Sequence, residues 1–293
     1  WHLSTALRIT GTEFQTFSVE SVEPSKISTS GSYIPKLRLL LFTTDPDRAM
    51  RAEAAGLDGI IVDWERKGKE WRQREYDTEI NTDTIDDVDR LSSRVEIPIV
   101  VRVNPMRAES AQEIETALDH GADTLMLPMA KSVEEVEQFV ELVGNSASTI
   151  IQIETQSLVE ECEALAAIPW DAAYIGLNDL MISRGSSWIW EPLFDGTVDF
   201  IFDCLRGRKV GFAGATVIGG GAPIPFTELL REMGRLGCQM TFLRRTFRRE
   251  IQGRDMDAEM KAIRAAWRAT CRRSEEAVQR DHAQFREKYS RCS

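Results

Sequence analysis

The sequence predicts an α/β fold, a (β/α)₈ TIM barrel with a flexible N-terminal extension and additional C-terminal helices. From Leu37 onward short apolar runs alternate with amphipathic helical stretches, which is the pattern of repeated βα units around a parallel sheet. The rival architecture, an open doubly wound sheet, usually carries a glycine-rich phosphate turn after its first strand, and here that turn reads Phe42-Thr43-Thr44-Asp45-Pro46. The size agrees: 293 residues, 42% apolar and 28% charged, suit one large domain that needs no staples.

The elements follow in order. Residues 1–34 are rich in Ser and Thr without a sustained period, as in Ser25-Lys26-Ile27-Ser28-Thr29-Ser30, and read as a flexible extension. Residues 35–253 hold the barrel. Its strands are predicted at Leu37–Phe42, Gly59–Val62, Ile97–Val103, Thr124–Leu127, Thr149–Ile153, Ala172–Ile175, Lys209–Ala213 and Met240–Leu243. Helical periods fall between them at Asp47–Ala55, Ala111–His120, Val133–Val143, Leu158–Ala167 and Phe226–Leu236, several ending in Gly. Residues 254–293 form a charged helical segment whose apolar positions Met256, Met260, Ile263, Trp267 and Val278 call for a partner surface. The expectation is a homo-oligomer closed by this segment.

Composition narrows the partners. A formal net charge of -11 argues against nucleic acid, whose binding depends on many Lys and Arg, but leaves room for a small anionic substrate held by a few local cations. No apolar run approaches the roughly 20 residues of a membrane span, and no basic-then-apolar signal pattern opens the chain, so neither a membrane partner nor secretion is expected. The chain does begin at Trp1 rather than Met, which leaves room for a preceding segment. Its five cysteines are scattered without a C-x-x-C pair and read as free thiols in a cytoplasmic protein.

In a parallel barrel the active site lies at the C-terminal ends of the strands. There the sequence places Asp63-Trp64-Glu65, Arg102 and Asn104, Gln152 and Glu154, and Asn178-Asp179. Strand alternation sets Gln152 and Glu154 on one face, as it does Arg102 with Asn104 and Asp63 with Glu65. A lone carboxylate at a strand end is usually a cap or an ion-pair partner. Several converging with one arginine would repel one another without a cation, and oxygen-only donors favour Mg²⁺ or Mn²⁺ over zinc.

Two other features read more blandly. Gly219-Gly220-Gly221 and Arg244-Arg245 follow the last two strands, where barrels often hold a phosphate, yet a turn and solvated arginines explain them. The charged stretch from Arg66 to Asp83 is too long for an ordinary βα loop and is either a lid or a surface insertion.

Gln152-Ile153-Glu154-Thr155 followed by Ile175-Gly176-Leu177-Asn178-Asp179-Leu180 resembles the HpcH/HpaI aldolase and citrate lyase beta-subunit family. The likeness extends to Asp58-Gly59-Ile60-Ile61-Val62-Asp63-Trp64-Glu65, to Val101-Arg102-Val103-Asn104-Pro105 and to Gly121-Ala122-Asp123-Thr124-Leu125-Met126-Leu127-Pro128, and spans about residues 37–250. The resemblance implies a metal-dependent carbon-carbon lyase or aldolase working through a metal-stabilised enolate of a small 2-oxo acid or acyl (thio)ester. It implies Glu154 and Asp179 as ligands to Mg²⁺ or Mn²⁺, and Arg102 as the group that binds and polarises the substrate, with Gln152 beside it. Asn178 and Arg66 join them as candidate substrate contacts.

The departures matter too. Where the pyruvate-aldolase branch usually has a basic His, this chain has Arg66, which is no base, and His2, His120 and His282 lie elsewhere. Proton transfer would fall to metal-bound water, to Asp63 or Glu65, or to the substrate itself. Ala215-Thr216-Val217-Ile218 lacks the Lys and His-Pro of the citrate-lyase branch. Two other functions stay open, a (thio)ester hydrolase and a binding protein that has lost its catalysis.

Overall fold

Leu40 and Leu41 of β1 (Arg38–Phe42) sit in register with Phe242 and Leu243 of β8 (Met240–Leu243), and this pairing closes the ring. The chain is seen here as a computed structural model, which describes residues 34–66, 83–243 and 245–290. Between β1 and β8 run β2 (Gly59–Asp63), β3 (Ile99–Arg102), β4 (Thr124–Leu127), β5 (Ser148–Ile153), β6 (Ala172–Ile175) and β7 (Lys209–Ala215), each parallel to its neighbours in sequence order. All eight predicted strands are present, with ends shifted by a few residues at most. The predicted extension lies almost wholly outside the described residues.

Alternation along the strands separates two apolar layers. Leu40, Ile61, Val100, Met126, Ile150, Tyr174, Met240 and Phe242 fill the inside of the barrel. Their neighbours, among them Leu39, Leu41, Ile60, Val62, Val101, Ile151 and Ile153, face outward into the helices. Burying each such aliphatic side chain contributes roughly 1.5–3 kcal/mol. The inner layer is therefore a packed floor, not a pore.

Helices α1 (Pro46–Ala54), α2 (Ile85–Ser92), α3 (Ser110–Asp119) and α4 (Val133–Val143) cover the first half. The first starts one residue earlier than predicted because Pro46 fits the first helical turn and Asp45 accepts from the amides of Asp47 and Arg48. The single helix expected over Leu158–Ala167 is two short ones, α5 (Gln156–Glu160) and α6 (Cys162–Leu165). Glu161 leaves helical angles between them, and its carboxylate accepts from the amide of Val133 at 2.7 Å. Sequence periodicity missed α7 (Leu177–Ser183), α8 (Glu191–Phe194) and α9 (Thr197–Cys204), whereas α10 (Phe226–Leu236) matches its prediction.

The C-terminal segment is helical, as expected. After α11 (Arg245–Glu250) it forms two helices, α12 (Met256–Cys271) and α13 (Glu275–Tyr289), with Ser274 capping the second. Met260, Ile263 and Trp267 are buried against the chain's own barrel, where α12 packs on α10 and α1. Trp267 Nε1 donates to the carbonyl of Pro35 at 2.7 Å. Helix α13 is pinned in the same way, since Phe285 stacks on Phe194 at 5.2 Å and His282 Nδ1 contacts Glu232 Oε2 at 2.8 Å. Three of the five apolar positions that called for a partner are thus covered by the chain itself, while Met256 and Val278 are only partly buried. Among the described residues no helix is long and apolar enough to cross a membrane.

Candidate functional site

Two residues beyond the apolar floor, the same inward alternation turns polar. Above Ile61 comes Asp63, above Val100 comes Arg102, and above Ile150 come Gln152 and then Glu154, all at the C-terminal ends of their strands. These side chains line one wall of a cavity of about 760 Å³, together with Asn178 and Asp179 from the first turn of α7. Phe42, Tyr174 and Phe242 form its aromatic base.

Arg102 is held on several sides. Its Nε donates to Asp63 Oδ1 at 2.9 Å and its Nη2 to Asp63 Oδ2 at 2.8 Å, across adjacent register positions of β2 and β3. Its Nη1 donates to Gln152 Oε1 at 3.3 Å, and Glu65 Oε2 lies 3.4 Å from Nη2. The guanidinium also stands 5.1 Å from the centre of the Phe42 ring. Burial works against its charge, but the attraction of Asp63 and Glu65 more than offsets that and holds the guanidinium above even its ordinary range.

Glu154 is equally fixed. Oε1 accepts from the amide of Met129 at 2.8 Å, and Oε2 accepts from Gln152 Nε2 at 3.1 Å. Met129 takes a left-handed φ of 54°, uncommon for a side chain of its size and a strain that is tolerated where a site fixes it. Gly176 completes the cradle, because a Cβ there would lie 2.3 Å from Glu154 Oε2. Burial, then repulsion from Asp179 and from Glu65, push the Glu154 carboxyl well above the usual range, with Arg102 opposing them. Such a pair is stabilised by a cation between its members.

The donor set fits Mg²⁺ or Mn²⁺. Both carboxylates offer oxygen, while the Gln152 amide turns its oxygen to Arg102 and its nitrogen to Glu154; among the described residues no group of three His, Cys, Asp or Glu is placed to hold a metal, so the rest of the coordination would come from water and substrate. Two protein carboxylates with the other positions left to water and substrate are what Mg²⁺ prefers.

The remaining candidates are placed as follows. Arg66 is exposed and does not line the cavity; its amide donates to Asn104 Oδ1 at 3.0 Å and its Nη2 to the carbonyl of Asp83 at 2.6 Å. Asn104 in turn donates to Glu113 Oε1 at 2.6 Å and to the carbonyl of Trp64 at 3.1 Å, which makes it a clasp for the chain after β2. The expected lid, Arg66 to Asp83, lies outside the described residues apart from its two ends. His120 contacts Asp89 and His282 contacts Glu232, both away from the cavity.

A profile of the HpcH/HpaI aldolase/citrate lyase family matches residues 38–191. The chain belongs to that family. Membership puts it among aldolases and lyases. Its fold is similar to a citrate lyase beta subunit from M. tuberculosis complexed with oxaloacetate and magnesium, with a TM-score of 0.52 at 21% identity over 80% of this chain and 97% of that one. A family protein from Burkholderia cenocepacia J2315 superposes with a TM-score of 0.55 at 19% identity, over 80% and 94% of the two chains. Macrophomate synthase gives 0.54 at 17% identity, over 80% and 85%. No curated protein matches the chain by sequence.

Sequence reasoning missed part of the lining. Ile189 and Trp190, between α7 and α8, and Arg48, Arg248 and Arg249 all reach the cavity. Nothing in their local pattern marks them, since loops and helices far apart in sequence bring them together. The amide of Met129 was equally hidden, because a backbone donor leaves no trace in residue type.

Proposed function

We propose that this member of the family is a metal-dependent carbon-carbon lyase or aldolase that acts through the enolate of a small 2-oxo acid or acyl (thio)ester. The observation that carries the proposal is the convergence of Glu154, Asp179, Arg102 and Gln152 on one cavity wall. The oxaloacetate and magnesium named for the M. tuberculosis citrate lyase beta subunit give the same pairing of ion and substrate class. Glu154 and Asp179 would hold Mg²⁺ or Mn²⁺, whose positive charge favours enolate formation when bound.

The chain's own groups supply the rest. Arg102 presents a guanidinium whose orientation is fixed before substrate arrives, so little reorganisation accompanies the buildup of negative charge. Asp63 fixes it by taking two of its five N–H bonds. Gln152 bridges Arg102 to Glu154 and so ties the cationic group to the acidic one. Asp63 lines the cavity and Glu65 does not, but both Asp63 oxygens are taken by Arg102, so its role in this reading is to orient the guanidinium. Phe42, Tyr174, Phe242 and Trp190 line the cavity beside these charged groups and give that end an apolar border.

Soaking crystals with Mg²⁺ and oxaloacetate tests the assignment. The expected result is an ion between Glu154 and Asp179, with the substrate's carbonyl and carboxylate oxygens turned towards it and towards Arg102. Density for the ion elsewhere, or oxaloacetate bound away from Arg102, would sink the proposal.

A further inference from the structure

Ile189 and Trp190 reach the cavity from a segment that contains no strand. Between α7 and α9 its only regular piece is α8, four residues long, and a single helical turn gains too little from its own hydrogen bonds to stay in place. Two backbone bonds shape it: the amide of Glu191 donates to the carbonyl of Trp188 at 3.0 Å, and that of Leu193 to the carbonyl of Trp190 at 2.9 Å. Arg184 clips its end, with Nη2 2.7 Å from Asp195 Oδ2 and Nη1 donating to Thr197 Oγ1 at 3.2 Å. Leu193 anchors it in the core. All these polar contacts lie within the segment and its immediate neighbours, so they fix its shape more than its position over the cavity.

The C-terminal helix supplies the remaining support. Phe194 stacks on Trp188 with ring centres 5.0 Å apart, and on Phe285 of α13 at 5.2 Å with the planes 12° from parallel. Tyr289 leans on Phe285 at 5.3 Å, and both are buried. Beside this ladder Arg286 Nη2 donates at 2.6 Å to the carbonyl of Phe194, one of the carbonyls that a helix leaves unpaired at its C-terminal end. Helix α13 is itself fastened to α10, through His282 to Glu232 and through Lys288 Nζ to Glu228 Oε1 at 2.8 Å. Neither Phe285 nor Arg286 lines the cavity.

We infer that Phe285 and Arg286 are positioning residues, which hold Ile189 and Trp190 in place as the side wall against which the carbon skeleton of the substrate packs. Stacked rings fix orientation as well as spacing, and the Arg286 bond locks the end of α8 that the rings leave free to slide. Trp190 and Asp179 belong to one connection between β6 and β7, so the wall and the proposed ion site share a support. Loss of the strut should loosen the fit of the substrate and leave the carboxylates as they are, because Asp179 sits in the first turn of α7, ahead of the segment that α13 grips. This inference rests on the cavity being the active site.

Amide hydrogen exchange on the full chain tests it, comparing the wild type with Arg286→Gln, Arg286→Lys and Phe285→Leu. Expected is exchange about tenfold faster across residues 186–195 in Arg286→Gln and Phe285→Leu, with an intermediate rate in Arg286→Lys, which keeps a donor, and no change in β5. Calorimetry with Mn²⁺, and then with oxaloacetate on the Mn²⁺-loaded protein, accompanies it. Oxaloacetate should bind about fivefold more weakly to Arg286→Gln and Phe285→Leu, with Mn²⁺ affinity the same throughout. Unchanged exchange in both variants overturns the strut. An equal rise in β5 overturns it too, since α13 would then stabilise the whole barrel. Undiminished oxaloacetate affinity beside faster local exchange overturns the role in substrate fit. Local loosening in the variants of a wild type that takes up no oxaloacetate would uphold the placement of the wall and overturn the substrate reading of the cavity.

Discussion

Asp63 grips Arg102 with both carboxylate oxygens, Oδ1 at 2.9 Å from Nε and Oδ2 at 2.8 Å from Nη2. Arg102→Lys should therefore lower turnover much more than stability. Lysine keeps the charge but loses the planar fork that Asp63 and Gln152 orient. A fall on the order of 10²-fold is expected, by analogy with removing one preorganised donor. Steady-state rates beside a thermal melt check it, and an unchanged rate would make Arg102 structural.

Glu154→Gln and Asp179→Asn should each abolish Mn²⁺ binding while the barrel stays folded. The first keeps the shape of the side chain and removes the charge an ion needs, and the apolar floor beneath is untouched. Calorimetric Mn²⁺ titration with circular dichroism decides it. Wild-type affinity in both variants would remove the basis of the site.

Stability without metal should depend on pH in a stated direction. The Glu154 carboxyl is raised above its ordinary 4.5 by burial and then by Asp179, so the native state keeps a proton that the unfolded chain has already lost. This group's stabilisation is full below that ordinary value and fades as pH rises through the raised one. A divalent ion reverses the trend, because it favours the ionised carboxylate. The rise in Tm on adding Mg²⁺ should grow from pH 5 to pH 8 in the wild type and be flat in Glu154→Gln; equal shifts in the two proteins would contradict the assignment.

Gly176→Ala should act as a ligand mutation although no ligand is changed. Its Cβ would meet Glu154 Oε2 at 2.3 Å and Glu154 Cβ at 2.9 Å, so the carboxylate must move. Displacement of a catalytic group by about 1 Å can cost on the order of 10²-fold in rate. Weakened Mn²⁺ binding with a nearly unchanged melt is the expected pair of results, and wild-type Mn²⁺ affinity would show that the cradle is not tight.

Truncation after Gln252 should unfold or aggregate the chain and not merely dissociate an assembly. It removes Met260, Ile263 and Trp267 from the barrel's own core, with the Trp267 bond to Pro35. Light scattering together with circular dichroism distinguishes the cases; a folded, soluble monomer after truncation would show that α12 is dispensable.

Strand order was legible from the repeated βα units, and the inward placement of the strand-end side chains from period-two alternation. Ile61 inside implies Asp63 inside, and Ile150 implies Gln152 and Glu154. The helices Val133–Val143 and Phe226–Leu236 were legible because each buries one clean face. The stretch from Leu177 to Cys204 was not, since α7, α8 and α9 are short and two of them hold fewer than two full turns. The C-terminal segment showed its apolar face but not what covers it, because a periodic stripe looks the same against a partner or against its own barrel. Arg48 and Arg249 stand 201 positions apart in the chain and meet only through ring closure, which no local pattern records.

The stacked rings of Tyr174 and Phe242, with centroids 3.6 Å apart, have a consequence for traffic. With Met126, Ile150 and Met240 packed in the same inner layer, they leave the barrel no rear exit. Among the described residues, whatever enters the cavity therefore leaves from the strand-end side of the barrel. Under the proposed lyase reading the two fragments would then leave from the same side, the outer one first. The fragment left on the floor would then compete with the next molecule to arrive.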